Sequence, residues 1–182
     1  MKLGLLKRAI RPELNRDKSN PANFGADALI SGGTNGFDIL ELASDQTFGF
    51  TDSDLAKMIE FEKLEVTSGT WLIDGATSFE QLEVNGGRLD LLSNVNQFDY
   101  VQIDAGILNV DGILSSDVLV NNVNGTPGYL NGVGTIVGDV VNDGSISPAF
   151  HGTIGTLTID GNLMAKAGSV IQLDVDPSLP AG

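Results

Sequence analysis

The residues of this 182-residue chain that could do chemistry are mostly aspartates. Asp74, Asp111, Asp139 and Asp160 each follow a short alternating apolar run. Stacked on one outer face, they would form a carboxylate or calcium column of the kind a polysaccharide-cleaving or polysaccharide-binding β-helix needs, beside a base or metal. Leu92 interrupts that series, and aspartate is a routine corner residue, so the four read as corners. His151 is the only histidine. It stands in a Pro- and Gly-containing turn with no Ser, Cys or metal-ligand partner at motif spacing, and reads as solvated. After position 50 the bases are single and scattered, so no Arg/Lys clamp for a substrate is visible. No glycine-rich phosphate loop joins a strand to a helix. The sequence therefore gives no catalytic, cofactor-binding or metal-binding residue, and the chain is expected not to be an enzyme.

What would position such residues is a repeat in Phe61–Gly112. Aligning Phe61, Phe79 and Phe98 brings further residues into columns: Leu64, Leu82 and Val101, then Val66, Val84 and Ile103. Gly69, Gly87 and Gly106 follow, then Trp71, Leu89 and Leu108, then Ile73, Leu91 and Val110. The period is 18 and then 19 residues. Within each copy the apolar residues lie two apart, which is strand periodicity with one face buried. A glycine between the two short runs suits a tight corner. One copy cannot bury its own apolar face, whereas stacked copies can, and this predicts an all-β fold of the β-solenoid class. Successive coils would lie about 4.8 Å apart, so like side chains would form internal ladders. A β-sandwich shares the alternation and the turns but has no need for neighbouring strands to repeat one another. Trp71 aligns with Leu89 and Leu108 and is therefore placed in the core rather than on a sugar-stacking face.

Around that core the chain divides into a basic leader at 1–23, an irregular β/turn segment at 24–58 with a short helix, a parallel β-helix at 59–176, and a tail at 177–182. Leu3–Ile10 could form a short capping helix ending before Pro12, or the leader could lack structure. Asp54–Ile59 is helix-like, with Thr51, Asp52 or Ser53 available as cap. Asn121–Gly128 is dense in turn formers and is expected to bulge from the wall as a loop, a place where a partner could be recognised. Gly134-Thr135-Ile136, Gly155-Thr156-Leu157 and Gly168-Ser169-Val170 are expected to continue the glycine-led rhythm in coils of unequal size. The last run ends at Pro180-Ala181-Gly182 without an evident cap, which suggests that further coils belong after it.

Charge and composition narrow the function classes. The formal net charge is –14. Lys2, Lys7, Arg8, Arg11, Arg16 and Lys18 all precede Ser19, and 22 acids face only 4 bases from there on. Such a surface repels phosphate backbones, which argues against a nucleic-acid partner. There is no cysteine, so disulfides and thiolate metal sites are excluded. No apolar run approaches the ~18 residues of a membrane-spanning helix. Met1–Ile10 begins like an export signal, but Lys7 and Arg8 cut its apolar part short, so export information would lie elsewhere or the start is misplaced.

Two resemblances add expectations. Gly25-Ala26-Asp27-Ala28-Leu29 and Gly36-Phe37-Asp38-Ile39-Leu40, with Gly32-Gly33 between them, resemble degenerate haemolysin-type calcium repeats. That likeness implies calcium held by glycine carbonyls and by Asp27 and Asp38, although the spacing is 11 residues rather than the family's 9. Two ordinary turns with aspartate side-chain bonding are the simpler reading. The segment Phe61–Asp176 resembles the distal passenger domains of autotransporters from Gram-negative bacteria. The likeness is carried by Phe61-Glu62-Lys63-Leu64, Ser68-Gly69-Thr70-Trp71, Leu130-Asn131-Gly132-Val133-Gly134-Thr135-Ile136-Val137-Gly138 and Gly144-Ser145-Ile146-Ser147-Pro148. Ile154-Gly155-Thr156-Leu157-Thr158-Ile159-Asp160-Gly161 and Gly168-Ser169-Val170 complete the series. The family usually continues Ser-Pro-Gly-Asn-Ser-Ile-Gly, where this chain has Ser147-Pro148-Ala149-Phe150-His151-Gly152-Thr153-Ile154-Gly155. The resemblance implies a right-handed parallel β-helix at the bacterial cell surface, used in adhesion, aggregation or virulence. Its partners would be a host surface, a glycan or another copy. Further coils and a translocator barrel would belong to a full-length relative, and no stretch of this sequence reads as that barrel.

Overall fold

The structure is a computed structural model that describes residues 7–10, 30–32, 36–92, 96–149 and 154–174. The chain winds as an all-β solenoid of about six turns, with 57% strand and 3% helix. Among the described residues the strands form an eleven-stranded sheet and a seven-stranded sheet, both built from coil-to-coil pairing. The pairs within these sheets are parallel.

Register turns the sequence columns into physical stacks. In the larger sheet, Leu40, Leu64, Leu82, Val101, Val118, Val140 and Leu163 lie successively one above another. In the smaller sheet the corresponding stack is Phe48, Trp71, Leu89, Leu108, Leu130, Ile146 and Ile171. As far as Val140 and Ile146 these inward positions form the core, which also contains Val66, Ile73, Val84, Leu91, Ile103 and Val110; Leu163 and Ile171 are exposed. Parallel coils leave no room for a mismatched side chain, so apolar identity repeats at each step. Phe79 and Phe98 stack with ring centroids 6.4 Å apart and planes at 11°, and Phe61 is buried in the same core. The pairing with the next coil is irregular between Gln97 and Tyr100, where that coil carries Ser115 and Ser116.

Buried Asn142, Thr77 and Asn96 interrupt the stacks and find hydrogen-bond partners. Asn142 is fully buried in the column of Val120; its Oδ1 accepts the Gly144 N–H at 3.1 Å and its Nδ2 donates to the Val170 carbonyl at 3.1 Å. Thr77 Oγ1 donates to buried Asn96 Oδ1 at 2.8 Å. Burying such groups is tolerable only with partners of this kind.

The stacks extend further toward the N-terminus than the repeat in Phe61–Gly112. Ile39–Leu42 and Thr47–Thr51 already pair with Lys63–Val66 and Thr70–Asp74. Lys7–Ile10 is a strand on Ile39–Leu42, where helix was one of the expectations. Pairing with an open parallel edge satisfies more backbone groups than an isolated helical turn can. The short helix is Asp52–Leu55, slightly earlier than expected.

The glycine-led rhythm continues differently from the expectation. The carbonyls of Gly69, Gly87, Gly106, Gly128 and Gly144 accept the N–H groups of Arg88, Ile107, Tyr129, Ser145 and Val170 respectively. The column therefore runs through Gly128 and Gly144. Gly134 belongs to a second corner, between Gly112 and the start of Thr158–Asp160.

Candidate functional site

The aspartates were the first candidates, and the structure separates them. Asp74 and Asp111 flank the smaller sheet, whereas Asp139 and Asp160 belong to the larger one, with Asp160 in register with Val137. The single carboxylate column that Asp74, Asp111, Asp139 and Asp160 could have made does not form, in keeping with their reading as corner residues. Similar apolar pairs occur on both sheets, and the sequence does not say which sheet an aspartate follows.

A different column does form. Asp139 N–H donates to Asp117 Oδ1 at 2.8 Å, and Asn162 N–H donates to Asp139 Oδ1 at 2.8 Å. Each carboxylate caps the coil that follows it. Asp111 accepts from Asn109 Nδ2 at 2.8 Å, and Asp104 accepts from Gln102 Nε2 at 2.8 Å and Asn121 Nδ2 at 2.6 Å. Asp52 Oδ1 accepts the Ala76 N–H at 2.8 Å. These carboxylates hold corners, which is structural use of charge-assisted bonds.

A second acidic feature lies on the outer face of the larger sheet. Glu41, Glu65 and Glu83 occupy consecutive rungs. Their repulsion is relieved by neighbours: Lys63 pairs with Glu83, Asn85 Nδ2 donates to Glu65 Oε1 at 2.9 Å, and Thr67 Oγ1 donates to Glu41 Oε1 at 3.2 Å.

Asp38 is the buried acid that sequence reasoning set beside Asp27. It is 4% exposed, and its Oδ2 has no hydrogen-bond partner. Its own N–H donates to Glu62 Oε2 at 2.5 Å. Glu60 lies close by with φ 59°, and Ser31 Oγ donates to the Glu60 carboxylate. Asp27 and His151 lie outside the described residues. Among the described residues, no three acidic or histidine side chains converge on a metal-sized point.

A cleft of about 250 Å³ sits beside the short helix, lined by Leu55, Ala56, Met58, Ala76, Thr77 and Phe79. That is below the ~300–1,000 Å³ of ordinary ligand pockets. The expected loop after Asn121 is a two-stranded antiparallel hairpin, Asn122–Val123 against Thr126–Pro127. Asn124 and Gly125 at its tip have φ 55° and 84°, the Asn-Gly turn that matches strand twist. The neck closes with Gly128 N–H on the Asn121 carbonyl at 2.7 Å.

Partial desolvation and the nearby Asp104 carboxylate both raise the Tyr100 phenol above its ordinary value of 10.0, although the residue is 37% exposed. Both act against the phenolate, so Tyr100 stays a neutral hydrogen-bond donor across the physiological range.

No known protein family, curated protein or solved structure matches this chain. The Asp117–Asp139 column was missed in the sequence, although two aspartates preceding Val-containing strands at one repeat's distance are its visible trace. No helix among the described residues is long and apolar enough to cross a membrane.

Proposed function

We propose that this chain is a non-catalytic structural and adhesive segment of a surface-displayed or secreted bacterial protein, built like the passenger region of an autotransporter. The observation that carries the reading is the ladder core: one apolar stack in each sheet, sustained over seven rungs of which the first six are buried. Such a core makes a stiff rod whose length grows by adding coils, and it leaves the outer face free to vary. Corner aspartates occupied in capping bonds favour a scaffold over an enzyme. The ordered motifs from Phe61 to Asp176 supply the link to the passenger family.

The test is to place the chain between an export signal and a translocator barrel in a Gram-negative host. Added protease should remove it from intact cells, and those cells should adhere to host-cell or glycan-coated surfaces above a barrel-only control. Retention inside the cell, or depolymerisation of an acidic polysaccharide by the purified chain, contradicts the reading and favours a glycan-active β-helix.

A second reading is a calcium-stabilised secreted module. The specific observation in its favour is Asp38, a carboxylate buried without a partner for Oδ2. Calcium takes six to eight oxygens, so Asp38 would supply one or two ligands, with Glu62 and backbone carbonyls as further donors. A large rise in melting temperature on adding calcium, abolished in Asp38→Asn, supports this reading. The scaffold reading expects calcium to leave the melting temperature nearly unchanged.

A further inference from the structure

The hairpin that leaves the wall after Asn121 carries an asparagine followed by a glycine at its tip. In such a pair the glycine's backbone nitrogen can reach the carbon of the asparagine side-chain amide, and no Cβ on the second residue crowds the approach. The sequence contains four such pairs, and Asn35 of one lies outside the described residues. The other three are held differently. Asn85 Nδ2 donates to Glu65 Oε1 at 2.9 Å, and the Gly86 N–H donates to the Val66 carbonyl at 3.2 Å. Asn131 is 8% exposed, and its strand Tyr129–Gly132 pairs with Ile107–Val110 on one side and Ser145–Pro148 on the other. Asn124 and Gly125 are both exposed. Among the described residues, the Asn124 side chain and the Gly125 N–H have no hydrogen-bond partner. A Cβ at Gly125 would meet nothing within 4 Å.

We propose that the hairpin tip is a self-modifying site, at which Asn124 converts to aspartate and isoaspartate with water as the only co-reactant. The Gly125 nitrogen gives its proton to hydroxide and attacks Asn124 Cγ. A C–N bond forms there and the bond from Cγ to the side-chain nitrogen breaks. That nitrogen takes a proton from water and leaves as ammonia. Water then opens the cyclic imide at either carbonyl. Cleavage at the side-chain carbonyl leaves aspartate, and cleavage at the main-chain carbonyl leaves isoaspartate. Isoaspartate carries the chain through its side-chain carbon, which adds a methylene to a turn whose two central residues sit at φ 55° and 84°. A two-residue turn has no room for that extra length, so the hairpin loses its register. The Gly128 N–H on the Asn121 carbonyl keeps the neck closed, and the coils beneath keep their stacking. Both products place a carboxylate where the fresh chain has an amide. The protruding segment therefore changes charge and shape with age, while the rod does not. The inference is independent of surface display.

Peptide mapping by mass spectrometry, after incubating the folded chain in mildly alkaline buffer, tests it. Aspartate and isoaspartate should accumulate at Asn124 more than ~10-fold faster than at Asn85 or Asn131, which react only when their coils open. In concentrated urea the three sites should react at similar rates, because the pairs then share one environment. The folded-chain rate at Asn124 should rise with pH, since the Gly125 nitrogen must lose its proton. Asn124→Gln should stop conversion at the tip, and aged chain should melt at the same temperature as fresh chain. Equal rates at the three sites in the folded chain overturn the proposal. So does an Asn124 that stays intact in the folded chain while the urea-treated chain converts. A large fall in the melting temperature of aged chain overturns the separation of hairpin from rod.

Discussion

Trp71 sits where two packing demands meet. It is 1% exposed, and its indole N–H donates to the Ser68 carbonyl at 2.8 Å, which satisfies the one polar group a buried tryptophan carries. Phe50 stacks on it at 5.6 Å and 6°, and Phe48 tilts against it at 5.1 Å. Trp71→Ala should destabilise the chain by about 3–5 kcal/mol. A denaturant titration followed by circular dichroism measures this, and a loss below ~1 kcal/mol would contradict the core assignment. The assignment was legible because Leu89 and Leu108 stand in the same column. Tyr100 was not legible as a perturbed group, because its partial desolvation and its nearness to Asp104 depend on the fold, although the residue is still 37% exposed. Its folded-state value lies above that of an unfolded tyrosine. The resulting stability is fully present below pH 10.0 and is lost as pH rises through the folded value. In a phenolate absorbance titration, Tyr100→Phe should remove the component that ionises above pH 10.0. If that component survives the substitution, the environment drawn for Tyr100 is wrong.

At the scale of elements, the corners decide which strands can stack. Gly132 has φ 130°, and a Cβ there would meet the Val110 carbonyl oxygen at 2.0 Å. Gly132→Ala should therefore cost more than ~2 kcal/mol, combining strain in a glycine-only region with a backbone clash. A melting temperature equal to wild type would refute that geometry. The hairpin behaves oppositely. Its neck is already closed between Asn121 and Gly128, so replacing Asn122–Pro127 by a two-residue turn should change stability by less than ~1 kcal/mol. A larger loss in chemical denaturation would mean that the hairpin holds the wall. The sequence revealed an excursion here through its turn formers, but it could not count the excursion out of the repeat. Gly134 consequently looked like the next member of a column that in fact runs through Gly128. The strands at Ile39–Leu42 and Thr47–Thr51 were hidden for a related reason: their coil is longer and contains the helix Asp52–Leu55, so no fixed period reaches them.

At the scale of the whole molecule, each coil touches mainly the coils above and below it, so the rod is held by neighbour-to-neighbour contacts. The β-solenoid class could be read from three aligned copies because parallel stacking forces like onto like. Asp74, Asp111, Asp139 and Asp160 could not be assigned to a common face, because the winding alone decides which corner each one reaches. The absence of native cysteine makes the stacking directly measurable. Glu83 and Gln102 are register partners on adjacent rungs, whereas Leu119 lies one rung further on. Adjacent parallel rungs are about 4.8 Å apart, within the span a disulfide bridges, and two rungs exceed it. The account predicts that Glu83→Cys with Gln102→Cys oxidises rapidly to an intramolecular disulfide, while Glu83→Cys with Leu119→Cys does not. Rapid closure of the second pair, or failure of the first in a folded chain, would contradict the stacked-coil architecture.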